Sequence, residues 1–156
     1  SALDYRHADD RISADQELTG LLRVIGQLLV AHREGRGLHS EELLRREPYL
    51  TDDLLQRYLA DLAEVAVIRR SETGEWLLAR DLGTISLLDL YRECDYRLPV
   101  GSQVLPGQDA DAAAPSPLHD LSISLRQRLD MPLAGIVPIP QAGGIDAKPA
   151  TANPEP

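Results

Sequence analysis

The chain has no phenylalanine, one tryptophan and one cysteine, and of its sixteen basic residues only Lys148 is a lysine. Each shortage excludes something. A single thiol, Cys94, cannot close an intrachain disulfide or build a cysteine-based zinc site, and it suits a reducing compartment. With aromatics at 4%, the core must come from Leu, Ile, Val and Ala, which favours helix packed on helix. No apolar run approaches the ~18 residues that span a bilayer. Residues 1–15 are polar and acidic, unlike a signal peptide. The chain does not begin with Met, and we expect it to be a segment of a longer protein. Twenty-five acidic residues against sixteen basic ones leave a net charge of −9, so the molecule as a whole repels phosphate.

What is present is helical periodicity. Residues 1–17 form a lead-in. From Leu18, the set Leu21, Leu22, Ile25, Leu28, Leu29 and His32 repeats at helical spacing, with Asp15 or Thr19 as its cap and Gly35 and Gly37 as its stop. Ser40 caps a short second helix that ends by Glu47, because Pro48 disfavours a helical residue before it. Thr51 caps a third, whose buried face is Leu54, Leu55, Tyr58, Leu59 and Leu62. The period then changes. Two β-prone runs, 65–70 and 76–80, flank a polar turn containing Gly74 and read as a hairpin. Helix, helix, helix, hairpin predicts a mainly α, winged-helix-like (winged helix-turn-helix) domain over 18–98. Within it Ser86 caps a further short helix, Leu87 to Tyr91. Residues 99–115, rich in Gly, Pro, Ala and Asp, read as a flexible linker. Residues 116–135 form a C-terminal helix opened by Ser116-Pro117, and 136–156 a disordered tail.

Chemistry is sparse. His7, His32, His39 and His119 never pair at i, i+3 or i+4, so no metal-ligand couple exists on a helix. His32 reads as a partly buried or capping residue and His39 as a turn residue. Glu41/Glu42 and Asp52/Asp53 lie in first turns of helices, where the macrodipole accounts for them. No glycine-rich phosphate loop or nucleophile elbow is present. Cys94 has no neighbouring His or Lys to lower its pKa. The expectation is therefore no catalytic residue, no metal, no cofactor and no enzyme. In a winged helix the third helix would enter a DNA groove. Here it offers Arg57 against Asp52, Asp53, Asp61 and Glu64, the wrong sign for phosphate. Arg45, Arg46, Arg57, Arg69, Arg70 and Arg80 are the residues that could contact nucleic acid or a protein partner. Trp76 reads as a core residue beside Val67 or Leu78, with a partner hot spot as the alternative.

Several runs resemble the cytosolic C-terminal extension of the YihY/BrkB family, inner-membrane proteins long labelled ribonuclease BN-like. They are Leu21-Leu22-Arg23-Val24, Ala31-His32-Arg33-Glu34-Gly35-Arg36-Gly37-Leu38, Glu41-Glu42-Leu43, Arg46-Glu47-Pro48-Tyr49-Leu50 and Asp53-Leu54-Leu55. Gly74-Glu75-Trp76-Leu77-Leu78-Ala79-Arg80-Asp81-Leu82, Ser86-Leu87-Leu88-Asp89-Leu90-Tyr91 and Met131-Pro132-Leu133-Ala134 continue the likeness, and Ala2-Leu3-Asp4-Tyr5-Arg6 precedes it. The resemblance implies a non-catalytic regulatory or protein-interaction domain at the cytoplasmic face of the bacterial inner membrane. Its partners would be the protein's own membrane region and a second copy in a homodimer. The old ribonuclease label finds no supporting residues here. A DNA- or RNA-binding module, in a transcriptional or tRNA-processing context, is the alternative.

Overall fold

The computed structural model describes residues 11–109 and 116–141, with five α-helices and one two-stranded antiparallel sheet among them. The early lead-in with Ala2 to Arg6 and His7, the end of the predicted linker and most of the predicted tail lie outside the described residues.

Helix α1 (Glu17–Arg33) follows a 3-10 turn, Ala14–Gln16, capped by Ser13. Neither Asp15 nor Thr19 caps α1, a correction to the sequence reading. Asp15 accepts the Gly101 amide at 2.8 Å, and Thr19, inside the helix, donates its hydroxyl to Gln103 Oε1. The buried face is Leu18, Leu21, Val24, Ile25, Leu28 and Ala31, which turns His32 out to solvent. Seventeen residues of amphipathic helix specify a face only to within one neighbour, and packing chose Ala31. Gly35 ends the helix with φ +75°, where a side chain would be strained.

Helix α2 (Ser40–Arg46) is capped by His39 rather than Ser40; His39 has extended backbone and its N–H points at Glu42 Oε1, 3.5 Å away. Glu47 is extended, as a residue before proline must be. Helix α3 (Asp52–Glu64) starts where Thr51 Oγ1 accepts the Leu54 N–H at 3.2 Å. It buries Leu55, Tyr58, Leu59 and Leu62. Strands β1 (Ile68–Arg70) and β2 (Trp76–Leu78) pair Ile68 with Leu78 and Arg70 with Trp76. The sequence does not announce one further pairing. Leu38, between α1 and α2, exchanges both backbone hydrogen bonds with Trp76, at 3.0 and 2.8 Å. That bridge ties the hairpin to the helical layer. Trp76 packs half-buried against the core, under the Arg70 guanidinium at 5.6 Å.

Helix α4 (Leu87–Glu93) is capped by Ser86, whose Oγ accepts the Asp89 N–H at 3.1 Å. The stretch 99–115 reads as a linker, yet its described part is held down. Gln103 and Leu105 are buried, and Gln16 Nε2 donates to the Ser102 carbonyl at 2.8 Å. Side-chain amides reaching back across some eighty residues anchor it, which composition alone does not reveal. Helix α5 (Pro117–Leu129) has Ser116 as its cap and Pro117 at its first position. Of its residues only Ser122 is buried, so its apolar side chains are partly or wholly open.

Two glycines of α1 give opposite expectations for one substitution. A Cβ on Gly20 would stand 2.5 Å from Tyr58 Oη and 2.8 Å from a ring carbon of Tyr49, while one on Gly26 meets nothing within 4 Å. Both tyrosines are buried and donate to α1 carbonyls, Tyr49 to Gly20 at 2.8 Å and Tyr58 to Glu17 at 2.5 Å. Gly26→Ala should stabilise by about 1 kcal/mol, the difference in helix propensity. Gly20→Ala should destabilise by about 1–2 kcal/mol, because overpacking exceeds that gain. Urea midpoints of the two variants, moving in opposite directions, check this.

Candidate interaction surface

Most of the six arginines have partners within the chain. Arg46, in the last turn of α2, donates to Gln27 Oε1 at 3.3 Å and lies 3.9 Å from Glu42. Arg57, midway along α3, turns toward α1, 2.7 Å from Glu17 Oε2 and over the Tyr96 ring. Arg70 points Nε at the Gly74 carbonyl, 3.4 Å away, and covers Trp76. Arg80 closes the loop after β2 by donating to the Thr84 side chain and carbonyl, at 3.1 and 3.0 Å. Arg45 and Arg69 are exposed, and their side chains make no hydrogen bond or ion pair among the described residues. Four of the six thus serve the fold, and the two open ones sit on separate elements, α2 and β1.

Among the described residues no group of three or more His, Cys, Asp or Glu is placed to hold a metal ion. The Cys94 thiol has its pKa raised by burial and by the neighbouring Asp61 and Glu93 carboxylates, the opposite of an activated nucleophile. The open cleft between the 3-10 turn region and the start of α3 holds Arg11, Glu17, Asp52, Asp53 and Arg57, but Arg57 is already paired with Glu17.

The apolar surface is a different matter. A groove of about 490 Å³ lies between Leu22 and Ile25 of α1, Leu87 and Leu90 of α4, and Leu118 and Leu121 of α5. Leu118 and Leu121 of α5 are only partly buried along it. Beyond α5 the chain continues as a strap, 131–141, whose backbone is folded on itself. The Ile136 N–H donates to the Leu133 carbonyl at 3.1 Å and Val137 to the same carbonyl at 2.9 Å. Leu133 is 71% exposed and Ile139 85%. The sequence signal was present in the uncharged run from Met131 to Ile145, but its three prolines, with three more by Pro156, and its lack of periodicity read as a tail rather than a surface.

No helix among the described residues is long and apolar enough to cross a membrane. The chain is nevertheless similar to proteins named UPF0761 membrane protein. One from Stenotrophomonas maltophilia is 43% identical over 138 residues, which is 87% of this chain and 32% of that protein. One from Xanthomonas campestris pv. campestris is 38% identical over 138 residues, with the same coverage. One from Xanthomonas axonopodis pv. citri is 39% identical over 139 residues, 87% of this chain and 33% of that protein. The chain therefore spans about a third of the length of the curated relatives it matches. No protein-family model and no solved structure matches it.

Proposed function

We propose, taking the likeness to UPF0761 membrane proteins as the premise, that this chain is a non-catalytic regulatory or protein-interaction domain of such a protein. The YihY/BrkB resemblance narrows the reading to a domain on the cytoplasmic face of the inner membrane, whose partners include its own membrane region. A winged-helix fold is part of the proposal. Its support is the element order, with Leu38 pairing onto β2 as a third strand-like segment beside the hairpin.

The observation that carries the reading is the division of labour on the surface. The arginines that would bind phosphate are largely spent on intramolecular partners, Arg57 on Glu17 and Arg80 on Thr84, whereas large aliphatic side chains stand open to solvent. Exposed apolar area on an ordered backbone is what a protein interface presents. Nucleic acid would instead require an uncompensated basic face.

Titration of the chain with labelled duplex DNA and with structured RNA tests this. No saturable binding at micromolar protein is expected, even at low salt. Salt-sensitive binding that disappears in Arg45→Glu plus Arg69→Glu would reverse the reading and make this a nucleic-acid module.

A further inference from the structure

An apolar groove and an apolar strap both stand open on the single chain. No strap residue lines the groove, and Leu129, Met131, Leu133, Ile136, Val137 and Ile139 are each about half exposed or more. From Met131 to Ile145 the sequence carries no charge, in a chain that is 26% charged. Pro132, Pro138 and Pro140 restrict the strap before it docks, which lowers the entropy lost on binding.

Closure within one chain would require the strap to double back along α5. The groove lies at the N-terminal end of α5, with Leu118 and Leu121, while Leu129 at its C-terminal end sits beside Tyr91, Tyr96 and Leu98. Thirteen helical residues separate those ends by about 18 Å, and the strap leaves from the far one. Two copies placed antiparallel along α5 bring each strap to the other's groove, a self-complementary two-fold arrangement. The area suffices. The exposed parts of the five strap residues among these amount to roughly 550 Å², so two fully covered straps would remove about 1,100 Å² from water, just above the ~1,000 Å² that a specific interface should clear.

We infer that the strap 131–139 docks into the α1–α4–α5 groove of a second copy, making a symmetric dimer by reciprocal exchange. This rests on the interaction-domain reading above and names its partner as the same chain.

Sedimentation of the full 156-residue chain across micromolar concentrations is the test, with Ile136→Asp plus Ile139→Asp as the variant. Both positions are exposed, so helicity by circular dichroism should be unchanged. The chain is expected to dimerise, and the variant's dissociation constant to rise at least ~100-fold, a lower bound because each strap loses two buried aliphatic side chains. A second variant, Leu82→Cys with Ile139→Cys in a Cys94→Ser background, should oxidise to a covalent dimer. A chain that stays monomeric, a dimer indifferent to the strap substitutions, or a crosslink confined within one chain overturns the inference. So does co-sedimentation of a monomer with phosphatidylcholine vesicles that the same two aspartates abolish, since the strap would then face lipid. None of these failures bears on nucleic-acid binding, which alone decides against the interaction-domain reading.

Discussion

Replacing Arg23 with methionine is expected to destabilise the domain by about 2–3 kcal/mol, more than any other single charged-residue change on α1 or α2. The reason is Glu47. Its side chain is fully buried, at 0% exposure, between α1 and the start of the segment leading to α3. Arg23 Nε donates to Oε1 at 2.6 Å and Gln27 Nε2 to Oε2 at 2.7 Å. The bond to Glu47 in turn raises the Arg23 pKa, against the opposing effect of its own partial burial. Removing Arg23 strands a carboxylate in the interior with one neutral donor, and an uncompensated buried charge is far costlier than a missing contact. Arg23 is itself 38% exposed, so solvent reaches its side of the pair and holds the effect below the extreme for fully buried pairs. The double replacement Arg23→Met with Glu47→Leu should recover most of the loss, because it removes both desolvation penalties together. Chemical denaturation of the two singles and the double, read as a mutant cycle, checks this. A single Arg23→Met variant within ~0.5 kcal/mol of the parent would show the pair to be dispensable.

Alkaline pH should unfold the protein steeply. Tyr49 and Tyr58 are fully buried and Tyr96 nearly so. Burial is the leading cause that raises all three phenol pKa values. For Tyr49 the Glu47 charge adds to it, for Tyr58 the Glu17 charge, and for Tyr96 the 2.7 Å bond it donates to Asp61. The folded chain keeps these protons where the unfolded chain releases them, above the ordinary phenol value of about 10. The unfolded state then binds fewer protons, so stability falls as pH rises. It is intact below pH ~10 and declines by up to about 4 kcal/mol per pH unit once all three unfolded phenols ionise. A domain of ordinary stability would not outlast two such units. Tyrosinate absorbance should therefore climb in step with loss of helical circular dichroism. Complete ionisation of all five tyrosines with helicity retained would overturn the argument. Tyr96→Phe should lower the slope by about a third while costing about 1 kcal/mol at neutral pH for the lost hydrogen bond.

Both expectations depend on features that the sequence displays unequally. Helix starts were legible because they are written within four residues: Thr51, Ser86 and Ser116 each accept from the N–H three positions on. Gly35 and the Gly74 turn were legible because positive φ selects glycine. The hairpin followed from the change of period at Val65. The cap of α2 was misassigned by one residue, since His39 and Ser40 both suit the position and only backbone geometry separates them. The candidate surface was half visible. The sequence identified six arginines by type, but which of them are consumed by Glu17, Gln27 or Thr84 depends on residues up to forty positions away.

Local chemistry, then, was determined by the sequence alone: the helices, the caps of α3, α4 and α5, and the turn. Only the tertiary structure decided that Leu38 bonds to Trp76, that Glu47 is buried against Arg23, that Gly101 to Gln103 are pinned to Asp15, Gln16 and Thr19, and that the strap stands clear of the groove. The physical reason is range. Capping, periodicity and turn chemistry act over three or four residues and leave a readable spacing, whereas burial and pairing depend on which faces meet, and many alignments of amphipathic helices satisfy one sequence equally well until packing selects among them.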